Sequence, residues 1–154
     1  MDLLKPNYRE LAQQCIDSHA KQAIAVSFIP LVSLPVVYGV CTKMIVKLDK
    51  IFGITTELGW DSEIVQDVFA GIVAAPALLV PFLGAGAAAV FVKSIGKNYA
   101  AAVIAVIEND DAPDLSDAAL ISQRVREELK KIHATRRGRR SGRMQRNDVN
   151  ANDV

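Results

Sequence analysis

FIPLVSLPVVYG, at Phe28–Gly39, and APALLVPFLGAG, at Ala75–Gly86, each set two prolines five residues apart in an almost purely apolar run, with glycine close behind. Proline lacks a backbone N–H and crowds the preceding turn, so it interrupts a helix anywhere but in its first turn. Pro30 and Pro35, then Pro76 and Pro81 followed by Gly84 and Gly86, therefore read as structural breaks between consecutive helices. This spacing predicts a helix ending near Phe28 and another starting near Pro35.

Outward from the first break, Tyr8 to Ala25 has helical periodicity, with Leu11, Cys15, Ile16, Ala20, Ala23 and Ile24 assigned to one face. The helix after Pro35 sets Lys43, Lys47 and Lys50 on one side and Met44, Ile45, Leu48, Ile51 and Phe52 on the other, with Gly53 as its C-cap. Trp60–Glu63 reads as a further helix start, continued by Ile64, Val65, Val68, Phe69 and Ile72 towards Pro76. Ala87–Ile107 is an alanine- and valine-rich helix whose wetter side carries Lys93 and Lys97.

Residues 108–113 break the chain. A last helix from about Ser116 to Ala134 places Ala118, Ile121, Val125, Leu129 and Ile132 at helical spacing. Past Thr135 come Arg136, Arg137, Arg139, Arg140, Arg143 and Arg146 with almost nothing apolar, a composition that predicts a disordered tail. Strand signals are weak, since β-branched residues fall within helical periods and no NG or DG turn occurs.

The fold class expected is all-α: a compact bundle of proline-broken hydrophobic helices, an amphipathic C-terminal helix and a disordered basic tail. Its divisions are 1–111, 112–135 and 136–154.

The chain has 154 residues, 51% of them hydrophobic, and a net charge of +1 that conceals separated acidic and basic regions. Gln22–Thr42 and Val68–Val92 carry no charge. A membrane span needs about 20 apolar residues for a hydrocarbon core about 30 Å thick. Gln22–Thr42 barely reaches that length and contains two prolines, whereas Val68–Val92 would extend roughly 37 Å if wholly helical. Membrane contact and a buried, proline-broken soluble core both fit these runs. The N-terminus has early acids and no basic stretch ahead of an apolar one, which argues against a cleaved signal peptide. Cys15 and Cys41 are isolated and suit a reducing compartment.

Chemistry-bearing constellations are sparse. Gly96-Lys97 is followed by Asn98, so the phosphate-cradling order GxxxxGK[ST] is absent. Cys15 and His19 are four residues apart, but two ligands without a third favour a packed thiol and a surface imidazole. Asp61, Glu63 and Asp67 read as a solvated helix start. No catalytic, metal-binding or cofactor-binding residue is assigned, no cofactor is expected, and enzyme is the disfavoured class.

The run from His19 to Gly53, with Ile29-Pro30, Met44-Ile45 and Phe52-Gly53, resembles the bacterial DUF697 family. Val80–Gly86 and Ser94-Ile95-Gly96 resemble that family's second half. The likeness spans roughly residues 15–107, with Ser33 and Cys41 where family members often have Asp and Gln. It implies a hydrophobic helical domain, often fused to or encoded beside Era-like or dynamin-like GTPases and often predicted to be membrane-embedded.

On this basis the expectation is a non-enzymatic membrane-associated module acting with a GTPase in trans. It would sit at the bacterial inner membrane or its cytoplasmic face, contact membrane lipids, and have scope to form homo-oligomers. The alternatives are a pore-forming or membrane-perturbing effector, and a soluble scaffold binding protein or nucleic acid through its basic tail. The six arginines are the candidate lipid or nucleic-acid contacts.

Overall fold

A computed structural model describes residues 7–26, 33–54, 85–109 and 111–150. They form four helices: α1 (Tyr8–Val26), α2 (Ser33–Phe52), α3 (Ala85–Ile107) and α4 (Ala118–Asn150). No strand occurs among the described residues, and the protein is an all-α bundle.

The start of α1 fixes the topology. Tyr8 packs edge-to-face on Phe52 at the end of α2, with ring centroids 5.8 Å apart. Its hydroxyl donates to Glu108, just past the end of α3. Arg9 Nη2 donates to both oxygens of Glu108 at 2.6 Å. Half-way along α1, Asp17 pairs with Lys93 at 3.1 Å. Both α2 and α3 therefore run antiparallel to α1. The end of α1 and the starts of α2 and α3 share the opposite end of the bundle.

Of the expected breaks, Pro35 and Gly86 lie within the described residues. Pro35 lies in the first turn of α2, where its missing N–H has no intrahelical partner to lose. Gly53 ends α2 at φ +73°. Its N–H donates to the Lys50 carbonyl at 3.2 Å, and that of Ile54 donates to Asp49 at 2.9 Å. This pair of bonds is a Schellman cap, which needs a left-handed residue that glycine adopts without strain. Asp117 caps α4, its carboxylate accepting the Leu120 N–H at 3.1 Å. Pro30, Pro76, Pro81, Gly84 and the helix expected from Trp60 lie outside the described residues.

The core has α3 at its centre, packed against all three other helices. Val92, Ile95, Tyr99, Ala102 and Val103 are each fully buried on α3. α2 contributes Cys41, Met44, Ile45 and Leu48, and α4 contributes Ile121, Val125 and Leu129. Lys43, Lys47 and Lys50 lie exposed on the far side of α2, and Lys93 and Lys97 on the wet edge of α3, as their spacing predicts.

Two expectations change. On α1 the buried face is Ala12, Ile16, His19, Ala20 and Ala23, while Leu11 and Ile24 are exposed. The alanines let α1 lie close against α3, so the buried stripe follows side-chain size as well as apolarity. On α4 the helix continues through residues 136–150, where a disordered tail was expected. Starting a helix is the costly step; once α4 is nucleated by its packing on α3, each further residue adds one hydrogen bond. Arginine and glutamine propagate helix well, and no proline follows Pro113.

Candidate functional site

Gly96 marks the point where three helices come closest. A Cβ built there would lie 2.7 Å from Ile16 Cγ1 and 3.0 Å from Met44 Sδ. Only a residue without a side chain allows α1, α2 and α3 to meet at this level. The Ile95-Gly96 and Met44-Ile45 pairs thus occupy the crossing itself.

One turn away, the Tyr99 hydroxyl donates to Asp49 Oδ1 at 2.5 Å, with both residues buried. Burial first, and the neighbouring carboxylate second, push the Tyr99 hydroxyl well above its usual range. It therefore remains a proton donor to Asp49 at any ordinary pH. The sequence held a signal for this pair: Asp49 falls at a core position of α2, beside Leu48 and between Ile45 and Phe52. Periodicity alone did not supply its partner.

Among the described buried polar side chains, Asn98 leaves its Nδ2 without a hydrogen-bond partner. His19 is buried, not the surface imidazole that its spacing predicted. Its Nδ1 lies 2.8 Å from the Cys15 carbonyl, which accepts the N–H in that tautomer, and 3.6 Å from the Cys15 thiol. Burial pushes the Cys15 thiol up, with Lys47 opposing more weakly, and pushes Cys41 up to about 12. Both thiols are free, and neither sits in surroundings that favour the nucleophilic thiolate.

A groove of about 80 Å³ between the end of α3 and α4 is lined in part by Asp111, Arg124, Glu127, Glu128 and Lys131. Lys131 pairs with Glu128 at 2.5 Å, and Gln123 donates to Glu127 at 3.2 Å. No group of three metal-ligating side chains occurs among the described residues. The acidic cluster Asp61, Glu63 and Asp67 lies outside them. Gly86 opens α3, and Gly96-Lys97 lie in mid-helix, where backbone N–H groups bond within the helix and cannot cradle phosphate.

Two surfaces remain as candidates for contact. Among the described residues the exposed large hydrophobics are Ile24, Tyr38 and Val90, the last by 69%, towards the end where α1 stops and α2 and α3 begin, and Leu11 and Leu120 near the starts of α1 and α4. The second surface is α4 beyond Thr135, which carries the positions of Arg136, Arg137, Arg139, Arg140, Arg143 and Arg146 on continuous helix. Among the described residues one helix segment, Ala88–Ile107 in α3, is long and apolar enough to cross a membrane, and half of it is buried within the bundle.

Compared with models of known protein families, with curated proteins and with solved structures, the chain matches none.

Proposed function

We propose that this protein is a non-enzymatic helical module that works at a membrane and acts with a separate GTPase. The observation that carries the membrane reading is the apolar end of the bundle. Ile24, Tyr38 and Val90 lie exposed there. The described parts of the uncharged runs, residues 22–26, 33–42 and 85–92, lie at this same end. Apolar side chains gathered beside long uncharged segments are suited to contact with lipid rather than water. The bacterial inner membrane, approached from its cytoplasmic side, is the proposed location.

The GTPase part rests on the resemblance of residues 15–107. It fits a chain whose own glycine-lysine pair is locked in a helix.

Fractionation of expressing cells tests the membrane part. The chain should pellet with membranes and resist extraction by high salt. Recovery as a soluble species at low salt would refute it. Affinity capture from the native organism tests the partner, and a preparation without any GTPase would refute that half alone.

A further inference from the structure

α4 is held differently from the other helices. Among the described elements, α1 and α2 each pack on α3 and on one another, whereas the packing of α4 is against α3. Side-chain bonds also tie α1 to α3, through Asp17 and Lys93, and α2 to α3, through Asp49 and Tyr99. The bonds Gln123–Glu127 and Lys131–Glu128 are internal to α4 and would survive its departure. The described apolar side chains that α4 buries are Ile121, Val125 and Leu129, with Ile132 partly buried beside them.

The surface of α3 beneath α4 contains an unmet polar group. At about 100° per residue, Asn98 lies about 160° round the helix from Gly96, the residue that meets α1 and α2. It shares a side of α3 with Ala105 and Asn109, seven and eleven residues on, which line the groove against α4. Asn98 is 2% exposed, and its Nδ2 has no hydrogen-bond partner. Ala102, one turn along the same side, is small and fully buried. The amide is therefore shut in where α4 covers α3, and lifting α4 gives it water.

We infer that α4 is a latch that lifts from α3 while α1, α2 and α3 stay together, and that the buried amide of Asn98 weights the balance towards release. A buried donor left unpaired favours the open form by about fivefold to a hundredfold over a satisfied one. Segments with few buried apolar contacts are the ones that open first. Release uncovers the side of α3 that bears Asn98 and Ala102, and it breaks neither of the side-chain bonds that tie α3 to α1 and α2. The contact between α3 and α4 is thus one the module can switch without giving up its core. The inference goes beyond the membrane reading and does not depend on it.

The test is hydrogen exchange of the full chain, read peptide by peptide in the mass spectrometer. Residues 118–132 should exchange at least about tenfold faster than residues 40–50 of α2 and 92–103 of α3. Urea should accelerate them less steeply, because a local opening exposes less surface than global unfolding. Cys41 on α2 should stay protected from thiol reagents while residues 118–132 exchange. Asn98→Leu removes the unpaired donor at similar volume and should slow exchange of residues 118–132 by about fivefold to a hundredfold. Asn98→Met, with a more pliant side chain, repeats the measurement, and circular dichroism checks that both variants keep their helix content.

Exchange of residues 118–132 in step with α2 and α3 in the parent protein overturns the latch, whatever the variants do. Variants that exchange there at the parent's rate or faster overturn the part given to Asn98. Loss of the fold in both variants does so too, since α3 would then need the amide it is inferred to be better without.

Discussion

Replacing Gly96 by alanine sets two effects of known size against each other. Alanine is the better helix former by about 1 kcal/mol in a helix interior. Against this, its methyl would lie 2.7 and 3.1 Å from Ile16 Cγ1 and Cγ2 and 3.0 Å from Met44 Sδ, well inside the 3.5–4.0 Å optimum for carbon contacts. Met44 is flexible and can yield. Ile16 cannot, because both close atoms branch from its Cβ, one χ1 rotamer dominates in a helix, and the residue is buried. Relief would require α1 to move off α3, uncovering Ala12, Ala20 and Ala23. Overpacking of this kind costs about 1–3 kcal/mol. The crowding offsets the propensity gain and leaves up to about 2 kcal/mol of net destabilisation. For a chain of this length that is a fall in Tm of up to about 8 °C, read by circular dichroism. The cause is checked in an Ile16→Ala background. There the new methyl enters space vacated by Ile16, and Gly96→Ala should become neutral or stabilising, with a coupling of about 1–3 kcal/mol. A Gly96→Ala protein at least as stable as the parent would refute the three-helix crossing. An equal cost in both backgrounds would refute Ile16 as its cause.

Tyr99→Phe removes the phenolic donor from buried Asp49 and should cost about 1–3 kcal/mol in urea denaturation. Gly138→Ala meets nothing within 4 Å and should raise the helicity of distal α4, worth about 1 kcal/mol locally, seen as stronger ellipticity at 222 nm. Hydrogen bonds hold Glu108, by Arg9 first and Tyr8 second, below its usual carboxylate range. Asp17 is lowered by Gln13 and Lys93, and Asp114 by Ser116. A depressed folded pKa stabilises above the unfolded value and is lost as pH falls through the folded one. Stability should therefore decline below about pH 4, and Glu108→Gln should flatten that decline. Cys41, buried and pushed up to about 12, should resist thiol reagents at pH 8 until urea opens the bundle, while half-buried Cys15 reacts sooner.

The helices were legible in the sequence because their determinants are local. Lysine spacing oriented α2 and α3, a glycine closed α2, and Pro113 with its acidic neighbours separated α3 from α4. The same local reading misplaced the inner face of α1, because apolarity ranked Leu11 above Ala12 while the approach of α3 selects the smaller side chain. It also ended α4 too early. A polar stretch was read as lacking the burial that order requires, although a helix already nucleated upstream needs no core to continue. The Tyr99–Asp49 bond joins residues 50 apart, and no spacing rule links them.

The architecture also bears on how a membrane would be met. α3 has the length and apolarity to cross a bilayer, yet it is the helix that the bundle can least release. Lys93 is paired with Asp17, Tyr99 is bonded to Asp49, and Gly96 is fitted under Ile16 and Met44. Insertion of α3 alone would break all three and carry Lys93 and Lys97 into hydrocarbon, at about 2.5–3.5 kcal/mol for each lysine near the centre on insertion scales. Contact through the end bearing Ile24, Tyr38 and Val90 keeps every one of these interactions. The membrane-bound protein should therefore retain the protection of Cys41 seen in the free protein. If adding anionic vesicles exposed that thiol to reagent, α3 would have left its place, and end-on docking of an intact bundle would be wrong.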